Sequence, residues 1–232
     1  MTQLHILSGG AAFGLVSKLE ARFKTESGLG IAGTFNAVGA MRDQLLAGAP
    51  CDVVILTATL IAQLEASGHV VAGSARQLGT VKTGIAVKSG DAQPAVGTAE
   101  ELKVALLAAK GIYFPDPVKA TAGIHFMHVL KQLGIDGLLA SRLRPYPNGA
   151  TAMGEMAKAD EVAVIGCTQV TEILYTSGVT LIAPLPKAFE LATVYTAGVS
   201  SKAANPQAAT ALISLLASAE NAALRSAGGF EP

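Results

Sequence analysis

Leu4-His5-Ile6-Leu7-Ser8-Gly9-Gly10 starts the chain with a short apolar run that breaks off into small residues. A helical stretch follows over residues 11–25, with Phe13, Val16, Leu19 and Phe23 at helical spacing. The same order then repeats. Residues 31–35 read as a strand and Val38–Leu46 as a helix. Val53-Val54-Ile55-Leu56 is a continuous apolar run, as in a parallel strand covered on both faces, and residues 60–66 form a helix stopped by Ser67-Gly68. Strands alternating with helices imply right-handed crossovers and a doubly wound sheet.

The pattern restarts further on. Strands are expected at 85–87, 112–114, 162–165 and 193–199, and helices at Ala99–Ala108, 122–133, 168–176, Pro206–Ala217 and 221–226. The last two helices follow the second sheet without a sheet of their own, so they are expected to return to the first. The expected fold is therefore α/β, with two lobes like a periplasmic binding protein. Each lobe would be a doubly wound, mostly parallel sheet, with a ligand cleft between the lobes that a hinge can close. The expected boundaries are residues 1–81 plus 198–232 for the first lobe and 82–197 for the second.

Composition narrows the function. Half of the 232 residues are hydrophobic and 15% are charged, which supports a sizeable core. Lys and Arg number 17 against 17 Asp and Glu, with no basic stripe, so nucleic acid is not an expected partner. No apolar run is long enough to span a bilayer, so no membrane insertion is expected. Met1-Thr2-Gln3 leads straight into the first strand with no basic n-region or cleavage site. That places the protein in the cytoplasm as written, or in the periplasm if a leader was removed. Cys51 and Cys167 stand far apart in apolar surroundings and read as buried residues rather than a disulfide framework.

In open parallel sheets, ligands bind beyond the carboxyl ends of strands, where helix N-termini present unpaired N–H groups. Ser8-Gly9-Gly10, Asn36-Ala37-Val38-Gly39 and Thr121-Ala122-Gly123 each occupy such a junction. Arg42 is a candidate carboxylate clamp, and Thr57 a ligand or cap residue. No dinucleotide fingerprint, P-loop or metal-ligand spacing occurs, so no cofactor and no metal are expected. His125 and His128 share a helix face but lack a third ligand nearby. His125, Lys119 and Cys167 are the candidates for a catalytic base.

The run Gly39-Ala40-Met41-Arg42-Asp43-Gln44-Leu45-Leu46-Ala47-Gly48-Ala49-Pro50-Cys51-Asp52-Val53-Val54 resembles the molybdate-type (class II) solute-binding proteins of ABC transporters. Asp116-Pro117 with Thr121-Ala122-Gly123, and the terminal Gly228-Gly229-Phe230, are similar to further segments of that family. The resemblance implies ligand contacts at Ser8 to Gly10, Val38-Gly39, Thr57, Ala122-Gly123, the Asn148-Gly149 region and Gly166 to Thr168. It also implies an ABC permease as partner if the protein is exported. The family usually has Ser where this chain has Gly10 and Val38, Tyr where it has Gly166, and Asp near Gln169. Loss of two hydroxyls and a phenol leaves a tetrahedral oxyanion under-bonded and points to a flatter organic polycarboxylate. An offshoot of the family resembles aconitate isomerase. That offers a second expectation, an intracellular isomerase shifting a proton and a double bond in an unsaturated polycarboxylate.

Overall fold

The computed structural model describes residues 3–232; Met1 and Thr2, on which the reading of the N-terminus rests, lie outside the described residues. In chain order, β1 (Gln3–Gly9) turns through a single 3-10 turn into α1 (Phe13–Ser27), β2 (Gly30–Asn36), α2 (Val38–Leu46), β3 (Val53–Thr57), α3 (Ala58–Ala66) and the long β4 (Arg76–Lys88). Then come α4 (Ala99–Ala108), β5 (Ile112–Pro115), α5 (Thr121–Gln132), α6 (Asp136–Leu139), β6 (Leu143–Tyr146), α7 (Gly149–Lys158), β7 (Ile165–Gln169) and α8 (Val170–Tyr175). β8 (Val179–Pro184), β9 (Ala192–Val199), α9 (Pro206–Ala217) and α10 (Ala222–Ala227) complete the chain.

The chain divides into two compact units, Met1–Val81 with Thr193–Pro232, and Lys82–Ala192. In the first unit β2, β1 and β3 are parallel neighbours, and β9 runs antiparallel beside β3. Its core is aliphatic. Leu4, Ile6, Val53 and Ile55 of the sheet pack with Phe23 of α1, Met41 of α2, Ile61 of α3, and Leu212 and Leu216 of α9. In the second unit β6, β5 and β7 are parallel, and β4 lies antiparallel to β7 and to β8. Phe114 and Phe126 pack at 5.4 Å in the centre of its larger cluster. Both units are α/β, and the sheets are mostly parallel.

Asp52 explains the aspartate that follows Ala-Gly-Ala-Pro. It is buried, and its carboxylate accepts two backbone N–H groups, from His5 at 2.8 Å and from Asn205 at 2.9 Å. Asn205 is the residue before α9, so one side chain ties β1, the entry to β3 and the start of a helix 153 positions later. At the far end Phe230 is buried against Tyr195, edge to face at 6.5 Å. Glu231 bridges Thr80, and Gly79, at φ +140°, leaves no room there for a side chain. Phe230 and Glu231 thus anchor the C-terminus within the first unit.

The structure departs from expectation in several places. The return to the first unit falls at Thr193 rather than 198, because β9 pairs with β3 from Tyr195 onward. The strand expected at 162–165 begins at Ile165, since Val162 is exposed and Ala163 turns through φ +58°. The helix expected from 168 accordingly starts at Val170. Elements α6, β6, α7 and β8 were not anticipated, and β4 is far longer than 85–87.

Asp52→Ala leaves two buried N–H groups unpaired and is expected to cost on the order of 3 kcal/mol. Asp52→Asn, which keeps one acceptor, costs less. Urea denaturation of the two variants checks both the size and the order.

Candidate functional site

The parallel register brings the first unit's candidates to one edge. Gly9 sits opposite Asn36, and Ser8 opposite Ile55, so β1, β2 and β3 end at nearly the same level. Ser8–Gly10, Asn36–Gly39 and Thr57 all lie at this carboxyl edge. A Cβ on Gly9 would come within 2.7 Å of Val38 Cγ1, so glycine is what lets the start of α2 approach β1. The residue before α2 is Ala37, which offers no side-chain cap, and Asn36 Oδ1 accepts the Ala37 N–H at 2.8 Å. Ser8 is fully buried and donates its hydroxyl to Gly9 O. Thr57 caps α3, accepting the Leu60 N–H at 3.4 Å. Arg42 donates to its neighbour Asp43 at 2.8 Å, so its guanidinium already has an anionic partner.

The second unit repeats the arrangement. Pro115 sits opposite Tyr146, and Tyr113 opposite Gly166, which brings the starts of α5 and α7 and the end of β7 to one carboxyl edge. A Cβ on Gly123 would lie 2.2 Å from Pro115 O and 2.3 Å from Asp116 O, so only glycine admits α5 this close to the strand end. α5, like α2, starts without a side-chain cap. α7 is different. Asn148 Oδ1 accepts the Thr151 N–H at 2.8 Å, and a buried carboxylate, Glu172, accepts the N–H groups of Gly149 and Ala150. Thr168 donates its hydroxyl to Glu172 Oε2 at 2.5 Å. A Cβ on Gly149 would fall 2.0 Å from that oxygen. Glu172 is also the third residue of α8 and accepts the Gln169 backbone N–H, half of a capping box.

For Gly149 and Thr168, expected as ligand contacts, the N–H and the hydroxyl are already given to the protein's own carboxylate, Glu172, and Asn148 Oδ1 caps α7. Glu172 was not foreseen from sequence. Its one signal is an isolated acid within the apolar stretch 164–175, and spacing gives such a residue no role. Gln169, named above as the place near which the family has Asp, and Thr83 and Thr171, which were not singled out, are each buried with side-chain polar atoms lacking a hydrogen-bond partner among the described residues.

The catalytic candidates are scattered. Cys167 is completely buried among Ile85, Ile112 and Ile165, and burial pushes its thiol up, which disfavours the reactive thiolate. Cys51 is likewise pushed up to about 12 by burial. His125 places Nε2 2.8 Å from Phe189 O, a geometry in which that nitrogen carries the proton. It lines a surface pocket of about 580 Å³ with Thr121, His128, Lys131 and Leu191. Lys119 is exposed in a turn closed by Asp116 Oδ1, which accepts the Val118 and Lys119 N–H groups at 2.6 and 2.9 Å. Among the described residues, no group of three or more His, Cys, Asp or Glu could hold a metal ion.

Residues 4–231 match the profile of the family described as bacterial extracellular solute-binding protein. The chain belongs to that family. It is 26% identical over 238 residues to an aconitate isomerase from a Pseudomonas species, covering 100% of this chain and 88% of that protein. Its fold superposes on the periplasmic molybdate-binding protein of Azotobacter vinelandii with a TM-score of 0.79, at 18% identity and 99% coverage of both chains. The sulfate-binding protein SubI of Mycobacterium tuberculosis gives a TM-score of 0.76 at 16% identity, covering 100% of this chain and 87% of that one. These likenesses establish the periplasmic-binding-protein fold. Among the described residues, no helix is long and apolar enough to cross a membrane.

At three positions the structure can be set against the side chains that the resemblance to molybdate-type proteins implies. Gly10 has no side chain, and Val38 is a buried hydrocarbon at the first position of α2. At Gly166 a Cβ would meet Met153 Cε at 2.5 Å, so this position faces the methionine-rich core of the second unit. The phenol expected by analogy at Gly166 would have to enter that core.

Glu172 gives a pH signature. Burial raises its carboxyl to about 7, outweighing the opposing hydrogen bonds from Thr168 and three backbone N–H groups. A folded-state pKa above the unfolded one means the native protein binds this proton more tightly. The associated stability is complete below pH ~4.5 and is lost as pH rises through about 7. Melting temperature is expected to fall across this window by more in the wild type than in Glu172→Gln, whose amide cannot ionise. Parallel slopes for the two proteins would show that Glu172 does not titrate there.

Proposed function

We propose that the protein binds a small organic polycarboxylate, with the uncapped helix start at the strand ends of each unit, α2 in the first and α5 in the second, as that unit's candidate anion contact. The observation that carries this reading is the difference among the helix starts. α2 and α5 begin beside glycines with no side-chain cap, whereas α7 is filled by Glu172. A helix start of this kind stabilises an anion through its N–H groups and its dipole. The hydrocarbon at Val38 and the bare Gly10 remove hydroxyl donors that a tetrahedral oxyanion needs, which favours a carboxylate. Membership of an extracellular solute-binding family supports delivery to an ABC permease as the role of an exported form.

Thermal-shift measurements with molybdate, sulfate and a panel of di- and tricarboxylates test the ligand class. A polycarboxylate at a hundred times its Kd is expected to add about 2.7 kcal/mol of stability. A midpoint that moves with molybdate alone would overturn the reading. Val38→Pro removes one N–H from the first turn of α2, where proline suits the helix. It is expected to weaken carboxylate binding about tenfold or more, the value of one hydrogen bond to a charged group, with little loss of helix. Titration calorimetry of the variant measures the difference.

A second reading has its own support in the full-length likeness to aconitate isomerase. In that reading the protein catalyses an allylic proton shift in an unsaturated polycarboxylate. A base removes a proton from one carbon and returns it two carbons away, while nearby N–H groups stabilise the intervening enolate. His125 and Lys119 are the solvent-accessible candidates for that base, since Cys167 is fully buried and the Glu172 carboxylate is taken up by Thr168 and backbone N–H groups. Incubation with cis- or trans-aconitate, followed in the ultraviolet, distinguishes a catalyst from a binder.

A further inference from the structure

Gln169 ends β7 at the carboxyl edge of the second unit, and only 3% of it is exposed. Neither its amide nitrogen nor its amide oxygen has a hydrogen-bond partner among the described residues. It lies directly opposite Thr83 on β4, so the two side chains share a face of the sheet. Thr83 is 1% exposed, and its hydroxyl also lacks a partner, as does that of buried Thr171 two residues further on. Folded proteins seldom leave one buried polar group unmet, because each costs about 1–3 kcal/mol. An amide and two hydroxyls without partners, at the edge where this fold class receives its ligand, need a reason. The neighbouring carboxyl of Glu172 is satisfied by Thr168 and backbone N–H groups, so it leaves these atoms untouched.

We propose that Gln169, seconded by Thr83, is the specificity element that reads a hydroxyl group on the bound polycarboxylate. This rests on the polycarboxylate reading above and deepens it. A primary amide presents a donor and an acceptor side by side. A bare carboxylate offers acceptors only and leaves the amide oxygen facing another oxygen. A hydroxyl both donates and accepts, so it satisfies the amide nitrogen and oxygen together, and Thr83 supplies a further partner. The ligand class that fits is a hydroxy-polycarboxylate. A site built this way discriminates strongly against the analogue lacking the hydroxyl, because that analogue leaves the buried amide unpaired.

The test uses citrate and propane-1,2,3-tricarboxylate, which differ by one hydroxyl, with calorimetric titration of the full chain. The wild type is expected to bind citrate at least tenfold more tightly. Gln169→Leu is expected to bring the two Kd values together, while the ligand-free variant melts no lower than wild type, since an unmet polar group has been removed. Thr83→Val, close in shape, should narrow the margin and serves if the leucine variant does not fold. Equal Kd values in the wild type, or a margin that survives both substitutions, would overturn the proposal and leave polycarboxylate binding intact. Absence of binding by either acid in the wild type overturns both.

Discussion

Helix starts have to come close to the strand ends of this protein, and glycine is what permits it. At Gly9 and Gly123 a single added carbon would collide with α2 or with the carbonyls that end β5. The helix starts are therefore drawn onto the ends of the parallel strands, and their N–H groups face the carboxyl edge instead of a capping side chain. Much of the anion chemistry argued for this chain follows from that contact distance. The register of β1 with β2 and β3, and of β5 with β6 and β7, then gathers the starts into one edge per unit.

The same device is used in two opposite ways. α2 and α5 keep their N-termini uncapped by side chains, while at α7 the molecule supplies its own anion. Glu172 satisfies Gly149, Ala150, Thr168 and its own helix through one carboxylate, at the cost of being held in the interior. A buried acid with that many donors is a structural bolt, and its elevated pKa shows that desolvation outweighs the donors. Close by lie the amide of Gln169 and the hydroxyls of Thr83 and Thr171, buried without partners. Polar satisfaction is thus uneven over a few residues, complete at Glu172 and absent at Gln169, and such contrast is more typical of a binding surface than of a core.

Much of the framework was legible in sequence, for identifiable reasons. The helices Val38–Leu46, Ala99–Ala108 and Pro206–Ala217 match in extent because clear apolar spacing meets a clear start, such as Thr98 with Glu101 or the proline at 206. α7 escaped notice because Gly149-Ala150-Thr151-Ala152-Met153-Gly154 is rich in small residues, and its buried stripe of Ala152, Met153 and Met156 gives a weak pattern. β7 was misplaced because Val162 and Val164 imitate a strand while Ala163 turns the chain through a left-handed conformation. In the site, Ser8–Gly10 and Thr121–Gly123 could be singled out because small residues after an apolar run mark a strand end. Glu172 could not, since its role comes from tertiary burial, which no local spacing encodes.

The chain's path between its units sets the order in which it can be completed during synthesis. Residues 82–192 are inserted within the first unit, whose sheet lacks β9 and whose Asp52 lacks Asn205 until the segment from Thr193 onward has been made. The inserted unit has all its strands while the unit that began first is still unfinished. On the ribosome the segment before residue 82 must therefore wait, its apolar β3 edge uncovered, for partners that emerge after the inserted unit. The aspartate after Ala-Gly-Ala-Pro then acts as a latch, because it registers the arrival of a segment translated 153 positions later.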